Sequence, residues 1–223
     1  LRCFLANEVP LGGCLFPCPG CRDKGADQTG STSHATPLLC ARVSTKTAAC
    51  VSTLYQPNQL GWKTFGMGFS SDDDGNDQLF VTRDNSGAGG FSDGLGTINT
   101  VNFRLSAVAT FHPPIVQRAE LTGTGDGRLF AYWPDEQTGQ GGSFVAQINR
   151  KDGQVIGASR IDAGSANSAF AFAFWGGDFY IFTGDQAQSS VVKYDTGTNT
   201  VTEVTTIGQT IVGAGVSTCA PQL

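Results

Sequence analysis

The sequence predicts an all-β chain: a β-propeller-like repeat domain of about three to four blades, preceded by a cysteine-rich, loop-dominated segment. Three observations carry that expectation. The first is a repeat of about 50 residues, in which Leu79-Phe80-Val81 is matched by Leu129-Phe130-Ala131 and by Phe179-Tyr180-Ile181. The second is period-two alternation of large and small residues in Phe65-Gly66-Met67-Gly68-Phe69 and Phe170-Ala171-Phe172-Ala173-Phe174. Such a strand puts its bulk on one face and lets another backbone approach the other, which suits the crowded innermost position of a blade. The third is composition: 30 Gly, 15 Phe, one Met and only 15 % charged residues in 223 suit strands and turns better than helices.

Taken in chain order, residues 1–50 hold six of the seven cysteines: Cys3, Cys14, Cys18, Cys21, Cys40 and Cys50. They also hold Pro10, Pro17, Pro19, Pro37 and a polar stretch from Gly25 to Thr36, with almost no alternating apolar pattern. A segment that can bury so little depends on covalent staples for its order, so it reads as a disulfide-tied arm or cap. Zinc is the rival for Cys18-Pro-Gly-Cys21, but no second close pair stands nearby, because Cys40 and Cys50 are far apart for a ligand pair. With Cys219 the count is odd, which leaves one free or intermolecular thiol if the other six pair. The chain begins at Leu1 with no signal-like apolar stretch, as a processed secreted chain would.

From 51 to 223 the chain reads as the repeat domain. Each inner strand is followed by a polar turn (Ser71 to Asp77, Gly176-Gly177-Asp178) and then by the LF or FY strand. Third strands are expected at Phe144 to Asn149 and Val191 to Asp195, with Lys151-Asp152-Gly153 and Asp195-Thr196-Gly197 as turns into the fourth. Three full units cover roughly 65 to 210, while propellers have about four or more blades. Two fragments remain, Val51 to Gln56 and Thr210 to Thr218, the second containing the slim alternation Val212-Gly213-Ala214-Gly215-Val216. Sharing one sheet, they would close the ring, and a bond from Cys219 to Cys40 or Cys50 would fasten the ends. Otherwise the units form an open stack with exposed edges, prone to self-association. Closure is the expectation adopted.

The segment from Arg118 to Phe130 (RAELTGTGDGRLF), the segment from Ala171 to Tyr180 (AFAFWGGDFY) and the ending from Ile211 to Pro221 (IVGAGVSTCAP) resemble the C-terminal region of uncharacterised secreted proteins and lipoproteins of myxobacteria. The resemblance covers about 51 to 221, and those proteins also tend to carry a cysteine-rich segment ahead of the repeats. It implies secretion and a propeller-like fold, and brings no activity with it. Position 1 is Leu, not the lipidated cysteine of a lipoprotein.

Charge and hydropathy exclude two classes. The net charge is −5 with basic residues scattered, whereas a nucleic-acid binder concentrates them on one face. The longest apolar run, Ala169 to Trp175, falls well short of the roughly 20 residues that a membrane-spanning helix needs.

Candidate sites remain. Arg118 and Glu120 stand where the other units have Gly66, Gly68, Ala171 and Ala173, so they point to one face of an inner strand, toward a channel or a self-satisfied ion pair. Trp133 and Trp175, each ending a strand, offer stacking surface for a glycan or protein partner, as do Trp62, Tyr132 and Tyr180, with core packing as the alternative. Asp72, Asp74 and Asp77 in DDDGND could gather calcium, although glycine comes fourth where an EF-hand needs it sixth. Gly90-Phe91-Ser92-Asp93-Gly94 matches G-x-S-x-G, but no helical pattern follows it, and His34 and His112 are the only histidines. The reading adopted is a secreted, non-catalytic module that binds a protein or glycan partner or copies of itself. The alternatives are a subunit of an extracellular fibre, or a polymer hydrolase using Glu120, Asp126 or Ser92.

Overall fold

Alternating side chains that are apolar on both faces have to be buried on both faces, and the chain meets that demand by stacking small sheets. The computed structural model describes residues 2–7, 39–44, 47, 49–84, 94–135, 142–164, 169–184 and 187–223. Strands β1 (Arg2–Asn7), β2 (Leu39–Ser44) and β3 (Cys50–Ser52) form a three-stranded sheet, β1–β2 parallel and β2–β3 antiparallel. Strand β3 straddles the boundary expected at residue 50.

Three four-stranded antiparallel sheets follow, each laid down in strict chain order. The first contains β4 (Thr64–Ser71), β5 (Asp77–Asp84), β6 (Leu95–Ile98) and β7 (Leu105–Ala109). The second contains β8 (Glu120–Gly123), β9 (Leu129–Pro134), β10 (Ser143–Ile148) and β11 (Val155–Ile161). The third contains β12 (Ala169–Trp175), β13 (Asp178–Gly184), β14 (Ser189–Asp195) and β15 (Thr200–Ile207). Among the described residues the one helical element is a short 3-10 turn, Gln59–Gly61.

The second strand of each unit shows why the sheets stack. Leu79 and Val81 enter a cluster with Tyr55, Trp62, Phe65, Ile98, Phe103 and Leu105, while Phe80 between them joins a second cluster. That second cluster lies between the first and second units, where Phe80 and Leu95 meet Leu121, Leu129, Ala131 and Ile148. Phe130 and Tyr132 point the other way, into a third cluster with Phe170, Phe172, Phe174, Phe179 and Ile181 of the third unit. Rings in this layer pack edge to face and offset, as with Phe130 and Phe179 at 4.9 Å between centroids.

The inner strands β4, β8 and β12 lie side by side without a regular ladder between units. Phe65, Met67 and Phe69 of β4 face the first cluster, and Gly66 and Gly68 face β8. A Cβ added to Gly66 would stand 2.1 Å from the carbonyl oxygen of Ala119, and one on Gly123 would stand 2.1 Å from that of Phe69. The alternation therefore serves the close backbone approach that the sequence suggests. Across the other side of β8, Phe174 N–H donates to Thr122 Oγ1 at 3.2 Å.

Closure through a shared sheet does not occur. Residues 51–52 pair with β2, through Val51 opposite Arg42, and 210–218 form no strand. Instead the ending runs past the inner strands: Ile211 N–H donates to Ser189 Oγ at 2.8 Å, Thr218 packs its carbonyl on Gly125, and Gly176 N–H donates to Pro221 O at 2.9 Å. Gly125 allows the approach of Thr218, because a Cβ there would stand 2.1 Å from the Thr218 carbonyl oxygen.

Gly66→Ala and Gly123→Ala each force a methyl group into backbone, which cannot give way as a side-chain tip can. Each is expected to lose about 3 kcal/mol or more of stability. Gly208→Ala, with nothing within 4 Å of the added Cβ, should stay within about 0.5 kcal/mol of the natural chain. Urea unfolding of the three variants checks this, and equal losses would sink the close-approach account.

Candidate functional site

The two charged residues that interrupt the inner strands come together at one end of the stack. A cavity of about 110 Å³ opens there, lined by Phe65 and Gly66 of β4, Asp84 of β5, Arg118, Ala119 and Glu120 at the start of β8, Ala169 and Phe170 of β12, and Val212. All three units and the C-terminal segment thus contribute to one wall. By strand register Glu120 stands where the first and third units have Gly66 and Ala171, and Arg118 where they have Thr64 and Ala169. The first unit adds its charge to the lining through Asp84.

Glu120 touches solvent only in part, and protein atoms surround it so closely that loss of hydration dominates its chemistry. Burial pushes its carboxyl up to about 8, helped by the nearby charge of Asp84 and opposed by the N–H of Met67 and the charge of Arg118. At neutral pH it is therefore a neutral acid that can donate a proton to a hydrogen bond. The Arg118 guanidinium stacks on the Phe170 ring, 5.7 Å from its centroid. Among the described residues it has no hydrogen-bond or salt-bridge partner, so the self-satisfied Arg–Glu pair weighed from sequence is not formed. Asp84 Oδ2 accepts a hydrogen bond from Thr64 Oγ1 at 2.9 Å.

The other candidates lie elsewhere. Trp133 is a correction: it is buried and stacks on Phe144 at 5.4 Å, so it offers no surface. Trp62 and Tyr132 are likewise buried. Trp175 is 44 % exposed, but it pairs with Asp178 at the far end of β12 from the cavity.

The acids considered for calcium lie in the turn between β4 and β5 and at the start of β5. Among the described residues no three potential ligands gather to hold a metal. Asp72 accepts the N–H groups of Asn76 and Asp74, which close its own turn and hold its carboxyl below the usual range. Asp73, between the supposed ligands, is taken by Lys151 at 2.8 Å and Arg150 at 2.9 Å, from the turn of the next unit. Asp77 accepts only a long 3.5 Å bond from Ser71 Oγ. Asp72 closes its own turn and Asp73 joins two units.

Asp126 sits in the β8–β9 turn with its carboxylate on Arg128 at 2.9 Å and on the Thr124 hydroxyl. Partial burial pushes it up, but the bonds from Arg128 and Thr124 outweigh that and leave it lowered. It is at the opposite end of β8 from Glu120. Ser92 and His34 lie outside the described residues, and His112 is exposed beside Thr110 O. Cys219 is free and exposed, so the expected bond to Cys40 or Cys50 is not made. The side chains of Cys3, Cys14, Cys18, Cys21, Cys40 and Cys50 lie outside the described residues.

Sequence reasoning missed Asp84, Phe170 and Val212 as cavity residues. They come from three separate segments, and no local motif announces a position that is defined only by convergence. Compared with protein-family models the chain matches none, and no curated protein matches it either.

Glu120 also makes a pH prediction. Its carboxyl titrates at about 8 when folded, against an ordinary 4.5, so between those values the unfolded chain releases a proton that the folded chain keeps. Its contribution to stability is full below 4.5 and is lost as pH rises through 8. Glu120→Gln should flatten that decline in thermal unfolding measured across the window, and an unchanged slope would show that Glu120 does not cause it.

Proposed function

We propose that the chain is a secreted or surface module that binds without catalysing, built as a propeller-like stack of three blades. The observation that carries this reading is the cavity, where, among the described residues, the inner strands carry a charged residue, Glu120. Inner strands of successive units converging on a shared recess is how radial repeats present ligand sites. Steps of 50 residues between the LF and FY strands, and sheets stacked face to face, support the propeller-like arrangement. The C-terminal segment touches the turns that follow β8 and β12 and lines the cavity through Val212, which supports its sharing in that arrangement. Secretion rests on the cysteine-rich start and on the resemblance to secreted myxobacterial proteins.

The polymer hydrolase is the weaker reading, although Glu120 and Asp84 do line one recess. Sites that enclose ligands of drug size occupy about 300–1,000 Å³, and this one has about 110 Å³. A polymer segment does not fit. The fibre subunit keeps one supporting observation, the free and exposed Cys219.

Non-reducing native mass spectrometry separates these readings. The expected result is a species near 23.3 kDa, with Cys219 alkylated by reagent without denaturation. Covalent oligomers that reductant disperses and Cys219→Ser prevents would replace the module with a structural subunit.

A further inference from the structure

We propose that the cavity at the start of the inner strands is a binding site for a small carboxylate, with the guanidinium of Arg118 as its counter-charge. This rests on the reading of the chain as a binding module and narrows it to one ligand chemistry.

The inventory of donors and acceptors around the cavity points this way. Arg118 brings five N–H donors and no acceptor, and among the described residues none of them is engaged. Its position over the Phe170 ring takes up none of its N–H groups, and a guanidinium with free N–H groups grips a carboxylate through two parallel bonds. Neutral Glu120 adds one more O–H donor, while Asp84 already accepts from Thr64. What Arg118 leaves unused is donor capacity and a positive charge, so the group that complements it supplies acceptors and a single negative charge, with Asp84 in the lining opposing any larger one.

Size and walls narrow the ligand further. At roughly 30 Å³ per water, 110 Å³ holds about three or four waters. That is room for a carboxylate group and a short carbon tail. Phe65, Ala169, Phe170 and Val212 give the tail an apolar wall. A phosphate dianion fits worse, because one guanidinium faces it and Asp84 repels it. A ligand ammonium meets a resident cation and a Glu120 that has kept its proton.

The same lining makes binding fall in alkaline solution. The charged or titratable groups facing Glu120 are Arg118, ahead of it in the chain, and Asp84 from β5. The cavity residues of β4, β12 and the C-terminal segment are Phe65, Gly66, Ala169, Phe170 and Val212, none of which titrates. Once Glu120 loses its proton, a donor becomes a second negative charge against the ligand.

The test is NMR titration of the whole chain with acetate and propionate, following the Arg118 Nε–H signal. A tetra-alanine peptide is run alongside, with its C-terminus free and amidated. The expected result is a saturable shift at about pH 6.5 with Kd on the order of millimolar, as suits so few ligand atoms. Arg118→Gln should weaken binding by about tenfold or more, and Arg118→Lys, which keeps charge and fold but loses the two-bond grip, by several-fold. Affinity of the natural chain should drop between about pH 7 and pH 9, and that drop should vanish in Glu120→Gln.

Tighter binding of the free-ended peptide, with none of the amidated one, assigns the carboxylate to a chain terminus. Tighter binding of propionate assigns it to a free acid. Either result upholds the shared chemistry. Saturation by methylammonium but not by the acids, or equal propionate binding by Arg118→Gln, overturns the proposal, and so does absence of a saturable shift. The module reading fails separately, because native mass is measured with no ligand present.

Discussion

Two backbones run closer together in this protein than any side chain permits, and much of the architecture follows from that. Ala119 O occupies the space where a Cβ on Gly66 would be, and Phe69 O does the same for Gly123. Glycine on the facing sides of β4 and β8 lets the inner strands converge with no ladder between the units. Their opposite faces can then carry large residues into the layers between sheets. Bulky inner strands on both faces would push the sheets apart and leave Phe80, Leu121 and Phe130 without their present neighbours. The aromatic layers and the inner convergence are thus one packing solution seen from two sides.

The same convergence accounts for the chemistry of the cavity. A carboxyl placed among glycines and alanines at the meeting point of three sheets loses water and gains little to replace it. One amide N–H and a nearby guanidinium do not offset that loss, so Glu120 keeps its proton well past the usual carboxylate range. The Arg118 guanidinium beside it lies over the Phe170 ring. Asp126, only a few residues on, behaves in the opposite way because Arg128 and Thr124 bond to it in an open turn. Two acids on one hairpin differ in charge state through surroundings alone.

The outer edges bear on assembly. Each outermost strand carries one irregularity in register: at Val108 in β7, around Gly157 in β11 and at Val204 in β15. Gly157 has φ +62°, a left-handed conformation that a bulge of this kind asks of glycine. A bulge twists an edge and spoils its template for another strand. Edge-to-edge growth is therefore disfavoured at the three places where an open stack would offer it, including the long and mostly exposed β15.

Periodicity by itself determined the all-β class, the three units and the strands within them, because alternation and turn residues act within a few positions. The face assignment of Phe65-Gly66-Met67-Gly68-Phe69 was legible for the same reason. Only tertiary structure decided what those positions meet. Trp133 and Trp175 look alike in sequence, yet one is sealed beneath Phe144 and the other stands in solvent. Within DDDGND, Asp73 meets Arg150 and Lys151 from a turn almost eighty residues away. Val212 and Asp84 reach the cavity from separate segments, and the C-terminal alternation runs beside the inner strands instead of closing a sheet. A local pattern specifies which way a side chain points, but what waits there depends on contacts between residues far apart in the chain.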